Sequence, residues 1–153
     1  MDNLVSRQYR SGDFSACMAI FDSNVPIFFA LQERKEFCEY LQSINTAGMP
    51  FLVFLHKGSI VACGGLTIEP DKRQASLSWG MVGKAFHRQG LGTHLVEARL
   101  TLARSIPEID ELVLATSQHT HGFYERFGFV ISKITPDGFG SGLDRWDMTL
   151  RFE

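Results

Sequence analysis

Residues 4–10 alternate weakly between apolar and polar side chains, which predicts a first strand. Gly12-Asp13 reads as a turn and N-cap, and from Phe14 onward Cys17, Met18, Ile20 and Phe21 fall on one helical face. That helix should stop near Asn24-Val25-Pro26, because proline disfavours the helical region in the residue before it. Residues 27–31 form a short apolar patch. A second helix follows over about 32–45, with Phe37, Cys38 and Leu41 inward and Glu33, Arg34, Lys35, Glu36 and Glu39 in solvent.

From Pro50 the pattern is that of strands. Residues 51–55 are a compact apolar strand, 56–59 a hairpin turn into 60–68, and 69–72 a second turn into Gln74–Val82, giving three antiparallel strands. Leu91, Leu95, Ala98 and Leu102 then recur at i, i+4, i+7 and i+11, one buried stripe on a helix over about 91–104. Glu111–Thr116 is the next strand. Strand, helix and strand at this spacing make a βαβ unit, whose two strands should be parallel with a right-handed crossover. A short helix at about 120–127, a strand at 128–134, a glycine-rich loop over 136–142 and a last strand complete the chain. In the last strand Trp146, Met148, Leu150 and Phe152 share one face, and Arg145, Asp147, Thr149 and Arg151 the other. With no repeat or linker in the sequence, the expectation is a single α/β domain with a mixed sheet over 1–153.

Composition removes classes rather than adding any. The 153 residues are 44% hydrophobic and 21% charged, with 15 basic against 17 acidic side chains and a net charge of −2. A nucleic-acid binder would usually be basic. No apolar run approaches the ~18 residues of a membrane span, and residues 1–20 lack the charged-then-apolar order of a signal peptide. Cys17, Cys38 and Cys63 share no C-x-x-C spacing and read as reduced thiols of a cytoplasmic protein.

The most informative stretch runs from Trp79 to Leu95. A strand ends at Val82, and Gly90 and Gly92 stand where a helix begins. Glycines let backbone approach a ligand, and the first helical amides, without internal partners at the positive end of the dipole, suit phosphate or pyrophosphate. Lys84, Arg88, Arg99 and Arg104 against the lone Glu97 make residues 84–104 a basic strip. A plain glycine-eased helix start is the alternative reading. A Walker loop does not fit, since Gly83-Lys84-Ala85 lacks the spacing and the hydroxyl. A dinucleotide fingerprint would need a third glycine where Leu95 stands.

His87-Arg88-Gln89-Gly90-Leu91-Gly92, followed about 30 residues later by Phe123-Tyr124-Glu125-Arg126-Phe127-Gly128-Phe129, resembles the GNAT superfamily of acetyl-CoA-dependent N-acetyltransferases. The element order matches over the whole chain, and the specific motifs lie in residues 77–130. The resemblance implies a three-layer fold: antiparallel N-terminal strands, a central βαβ with a splayed parallel pair, and a C-terminal helix and hairpin strands. It implies that Arg88, Gln89, Gly90, Leu91, Gly92 and Thr93 hold the coenzyme A pyrophosphate, and that Met81 and Val82 offer backbone groups to the pantetheine arm. Two positions depart from the family pattern. His87 replaces Arg or Gln, which matters little if backbone amides bind the cofactor. Ser117 stands where an asparagine often contacts it.

On spacing alone Tyr124 is a boundary tyrosine beside the Phe123/Phe127 face of a short helix. The resemblance makes it the general acid. An amine would attack the thioester carbonyl, polarised by a backbone N–H near Val82, and Tyr124 would donate to the departing thiolate. A phenol of pKa about 10 protonating a thiolate of about 8.5 works uphill by about 2 kcal/mol, so hydrogen-bond donation is the main role expected. Glu69, His119, His121, Asp137 and Asp144 are candidate bases, and a water chain could replace any of them. His119-x-His121 lacks a carboxylate or cysteine at metal-ligand spacing, so no metal is expected. By resemblance, Ile27, Phe28 and Phe29 and the 136–142 loop with Phe139 border the acceptor, although an inter-helix plug also explains Phe28 and Phe29. The expected acceptor is a small-molecule amine, with no nucleic acid or membrane partner, in a monomer or homodimer. The alternatives are a protein lysine or N-terminal acetyltransferase, and a non-catalytic acyl-CoA-binding sensor.

Overall fold

The period-two and period-3.6 segments become strands and helices in close to the expected places in the computed structural model, which describes residues 3–152. Met1, Asp2 and Glu153, the ends of the expected domain, lie outside the described residues. In chain order the elements are β1 (Leu4–Gln8), α1 (Phe14–Ser23), α2 (Glu33–Ala47), β2 (Phe51–His56), β3 (Ser59–Glu69), β4 (Gln74–Val82) and α3 (Leu91–Arg104). They are followed by β5 (Glu111–Thr116), α4 (His121–Glu125), β6 (Val130–Gly140) and β7 (Leu143–Arg151). The strands form one mixed seven-stranded sheet in the order β1-β2-β3-β4-β5-β7-β6. The chain divides into two compact units: residues up to Thr67 with Ser78–Leu102, and Ile68–Leu77 with the residues from Ala103 on.

In the first unit β1 runs antiparallel to β2, and β2 to β3, with Leu4 opposite His56 and Phe51 opposite Gly65. Both faces of β2 are covered. Phe51 and Val53 join α1 and α2 residues Cys17, Phe21, Phe37 and Leu41 in one core cluster, while Phe54 packs with Val61, Leu91 and Leu95 in another. Alternation along β2 sends neighbouring side chains to opposite faces, so a strand buried on both sides has few polar positions. Cys17, Met18, Ile20 and Phe21 are buried on the face of α1 that the sequence predicts. α2 ends at Gly48, whose φ of +70° and N–H to the Ile44 carbonyl make a left-handed cap.

Two expectations are corrected here. Asp13 stands at the α1 N-cap position but makes no side-chain cap bond. Its carboxylate instead accepts both Arg7 Nη atoms, at 2.7 and 2.9 Å, and the Arg10 N–H at 3.0 Å. A forked cation outcompetes a single helical amide for it. Arg99 is not part of an exposed basic strip. It is 2% exposed, with Nη1 reaching the Gly65 carbonyl at 3.5 Å and Nε the Leu95 carbonyl at 3.4 Å. The buried stripe of α3 is accordingly wider than expected: Leu91, Leu95, Val96, Arg99, Leu100 and Ala103 are buried, and Ala98 is half-buried.

In the second unit Gln74, Ala75 and Ser76 of β4 pair in parallel with Glu111, Leu112 and Val113 of β5. The parallel βαβ unit is therefore present. β5 runs antiparallel to β7, and β7 to β6. Met148 is fully buried at the centre of β7. The expected loop at 136–142 is instead the end of β6 and a tight turn. Pairing slips after Thr135↔Arg145 and resumes at Gly140↔Leu143. The slip is held by two side chains: the Asp137 N–H donates to Asp144 Oδ1 at 2.9 Å, and the Gly142 N–H to Asp137 Oδ1 at 2.7 Å. Turn-forming residues here build a bulged hairpin rather than an open loop.

Candidate active site

The first group of candidate residues lies at the exit from β4. Trp79, in mid-strand, has a φ of +48°, and a left-handed non-glycine residue there kinks the strand. Met81 and Val82 follow with their side chains in different core clusters, Met81 with Tyr9 and Phe51, Val82 with Val61 and Leu91. Beyond Val82 three successive backbone groups are pinned. The Val82 carbonyl accepts Asn24 Nδ2 at 3.0 Å and His87 Nε2 at 2.8 Å. The Gly83 N–H donates to the Val61 carbonyl at 2.8 Å, and the Lys84 N–H to Ser23 Oγ at 3.1 Å. A cavity of about 500 Å³ beside this turn is lined by Ile20, Ser23, Leu55, Ile60, Gly83 and Phe86, among others.

The chain then turns into α3 through two left-handed residues, Arg88 (φ +64°) and Gly90 (φ +79°). The His94 N–H reaches the Gly90 carbonyl at 3.3 Å, the first i→i−4 bond of the helix. The amides of Leu91, Gly92 and Thr93 precede it and have no partner within the helix. Arg88, Gln89 and Gly90 are exposed, and Gly92 and Thr93 are half-buried. Lys84 and Arg88 thus remain as exposed cations of this turn, whereas Arg99 does not.

His87 is more than a tolerated replacement. Its ring binds the Val82 carbonyl and takes the edge of Phe28, 5.4 Å between centroids. Phe28 and Phe29 part company. Phe29 stacks on Phe21 and Trp79 and is a core plug, while Phe28 is 57% exposed. Ile27 and Leu31 are exposed beside it in sequence. Sequence reasoning missed Asn24 as a site residue. It is 3% exposed, and its carbonyl accepts the N–H groups of both Phe28 and Phe29.

The second group lies on α4 and the strands around it. Tyr124 is half-buried between Phe123 (5.1 Å) and Phe129 (6.1 Å), both edge-on. Phe129, not Phe123 or Phe127, is the buried ring of this segment. Ser117 Oγ accepts the His119 N–H at 3.2 Å, and its carbonyl accepts the N–H groups of Thr120 and His121. Ser117 therefore shapes the turn into α4. Of the candidate bases, Asp137 and Asp144 hold the β6–β7 turn, Glu69 lies 3.7 Å from Lys72, and His119 is exposed. His121 stacks on Trp146 at 4.1 Å, and its Nδ1 lies 2.5 Å from Glu125 Oε1. Phe139 is 46% exposed, with the Arg145 guanidinium 5.8 Å above its ring. Among the described residues no group of three His, Cys, Asp or Glu side chains is placed to hold a metal ion. No helix among them is long and apolar enough to cross a membrane.

A sequence model of the acetyltransferase (GNAT) family matches residues 16–129, which span the β4 exit, α3 and the tyrosine helix. The chain belongs to this acetyltransferase family. Several solved structures share its fold at low identity. One is yncA from Salmonella typhimurium, solved with its cofactor acetyl-CoA: 18% identity, 99% of this chain and 95% of that one covered, TM-score 0.80. A second is the ribosomal-protein-S18-alanine N-acetyltransferase of Escherichia coli, with 18% identity, 98% and 94% coverage and TM-score 0.81. A third is a point mutant of the spermidine N-acetyltransferase SpeG from Vibrio cholerae, with 18% identity, 99% and 95% coverage and TM-score 0.79. No curated protein matches the chain in sequence.

Proposed function

We propose that the protein transfers the acetyl group of acetyl-CoA to the primary amine of a small molecule, by direct attack of the amine on the thioester. The observation that carries this reading is the turn from β4 into α3, where left-handed Arg88 and Gly90 precede the amides of Leu91, Gly92 and Thr93. Backbone of that shape, with exposed Lys84 and Arg88, offers N–H donors and positive charge to a pyrophosphate. In this reading residues 88–93 hold the cofactor phosphates, and Met81 and Val82 face the pantetheine arm. Both accepting directions of the Val82 carbonyl are already used, so Val82 offers its amide. That amide polarises the acetyl carbonyl. Tyr124 donates a hydrogen bond to the thiolate as it leaves, and Ser117 acts through the turn it shapes rather than as an asparagine would. All three cysteines are unpaired, which fits the cytoplasm.

Acetyl-CoA bound at these residues supplies an activated acyl group; the protein's part is to orient it and to stabilise charge as the thioester breaks. The test is thiol release from acetyl-CoA with spermidine, phosphinothricin and an alanine-terminated peptide as acceptors. Turnover with a small amine supports the reading. Turnover with the peptide alone makes the protein a protein acetyltransferase. Saturable coenzyme A binding without turnover on any amine makes it a sensor.

A further inference from the structure

We infer that Asn24 and His87 are positioning residues for the acetyl-transfer site, acting together through the Val82 carbonyl; this rests on the proposed role of the Val82 backbone. They come from opposite sides in sequence, Asn24 at the end of α1 and His87 in the turn after β4, and both donate to one oxygen, at 3.0 and 2.8 Å. The donor roles are fixed by chemistry. A carbonyl only accepts, so the His87 Nε2 carries a proton in either the neutral or the charged ring. Asn24 Nδ2 also lies 2.9 Å from the Ile20 carbonyl, so the amide group must face that way round.

The consequence is an orientation. With the Val82 carbonyl held by two donors, the Gly83 N–H held by Val61 and the Lys84 N–H held by Ser23, the backbone leaving β4 cannot rotate about its own axis. The Val82 amide belongs to the peptide before these anchors and is joined to the held peptide through the Val82 Cα, so the anchors limit how far its direction can drift. Oxyanion donors accelerate a reaction only when their direction is fixed before charge develops. Asn24 is 3% exposed and uses its remaining polar groups locally, on Ile20, Phe28 and Phe29. Its reach across 58 residues to Val82 is its long-range side-chain bond. His87 at the first position of the glycine motif therefore has a defined task, which a side chain able to donate from the same place would share.

The test uses His87→Ala, His87→Gln and Asn24→Asp in the full chain, with two readouts. The first is amide hydrogen exchange at Gly83 and Lys84 by NMR, which needs no acceptor. His87→Ala and Asn24→Asp should speed it about tenfold. Amides in the middle of α3 should stay unchanged. The second is steady-state acetyl transfer from acetyl-CoA to the amine that the wild type accepts. There kcat should fall at least about tenfold in both variants, coenzyme A affinity by calorimetry should stay within about twofold, and His87→Gln should recover most of kcat. Faster exchange with unchanged kcat overturns the inference and leaves a structural anchor. So does a His87→Gln variant as slow as His87→Ala. Wild-type chain that binds coenzyme A and turns over no amine overturns the underlying reading instead, and the exchange readout still reports whether the two side chains hold the turn.

Discussion

A Cβ placed on Gly80 would stand 2.5 Å from Arg99 Nη2, 2.9 Å from Nη1 and 3.0 Å from Cζ. The buried guanidinium of α3 lies flat over this point of β4, next to the left-handed Trp79. An Arg terminus would ordinarily swing aside, but this one is 2% exposed and has no solvent to move into. Gly80→Ala should therefore lower stability by about 1–3 kcal/mol, read from urea unfolding. An unchanged midpoint would mean that Arg99 relocates freely.

Asp13 gives the acid limb of stability its shape. The hydrogen bonds from Arg7 hold its carboxyl below the usual carboxylate range, with the Arg10 N–H helping and burial opposing. A depressed folded pKa stabilises above the unfolded value of about 3.9 and loses that contribution as pH falls through the folded one. Asp13→Asn should thus be less stable than wild type at neutral pH, and the gap should close as pH drops below about 4. Chemical unfolding across that range checks it; a gap independent of pH contradicts it.

Tyr40 shapes the alkaline limb. Burial pushes its phenol up to about 12, and its hydroxyl is buried with no hydrogen-bond partner among the described residues. A raised folded pKa gives stability that is whole below about 10 and is lost as pH rises through the folded value. Tyr9 is pushed up to about 12 as well, chiefly by burial, so both residues contribute. Tyr40→Phe should be as stable as wild type or about 1 kcal/mol more stable at pH 7, and should lose less stability between pH 10 and 12, as followed by thermal melts. A variant that loses more than wild type above pH 10 would contradict this.

Gly90 is the backbone hinge of the proposed phosphate site. Nothing lies within 4 Å of a Cβ built there, so Gly90→Ala meets only the strain of its φ of +79°. That strain should cost about 1 kcal/mol of stability. If the amides after it hold the pyrophosphate, the variant should bind coenzyme A about tenfold more weakly by calorimetry. Binding unchanged within twofold would move the phosphates elsewhere.

The elements of this chain were legible where a local period repeats: the helix α3 with Leu91 and Leu95 buried, the strands β2 and β5, and the parallel pairing of β4 with β5 all stand where the sequence predicts. Legibility failed where a distant partner decides. Pro136, Asp137, Gly138 and Gly140 look like loop residues, and only the β7 pairing on either side of them, at Thr135↔Arg145 and Gly140↔Leu143, with the Asp137–Asp144 bond between, carries β6 through them. Arg99 was misleading by type rather than by position. It sits at i+8 from Leu91 and i+4 from Leu95, on the apolar stripe itself, opposite glycines that leave room for it. The motifs that mark the family were readable, because glycines and a tyrosine at fixed spacing are local. Asn24 and His87 were not, since an asparagine at a helix end and a histidine in a loop gain their meaning from one carbonyl oxygen that neither adjoins.

Acetyl transfer with Tyr124 as the donor to the leaving thiolate is tested most directly by steady-state kinetics of wild type and Tyr124→Phe, with acetyl-CoA and an amine that the wild type acetylates. Tyr124→Phe should lower kcat about 10²-fold or more while KM for acetyl-CoA stays within about twofold. A Tyr124→Phe enzyme with wild-type kcat would contradict it.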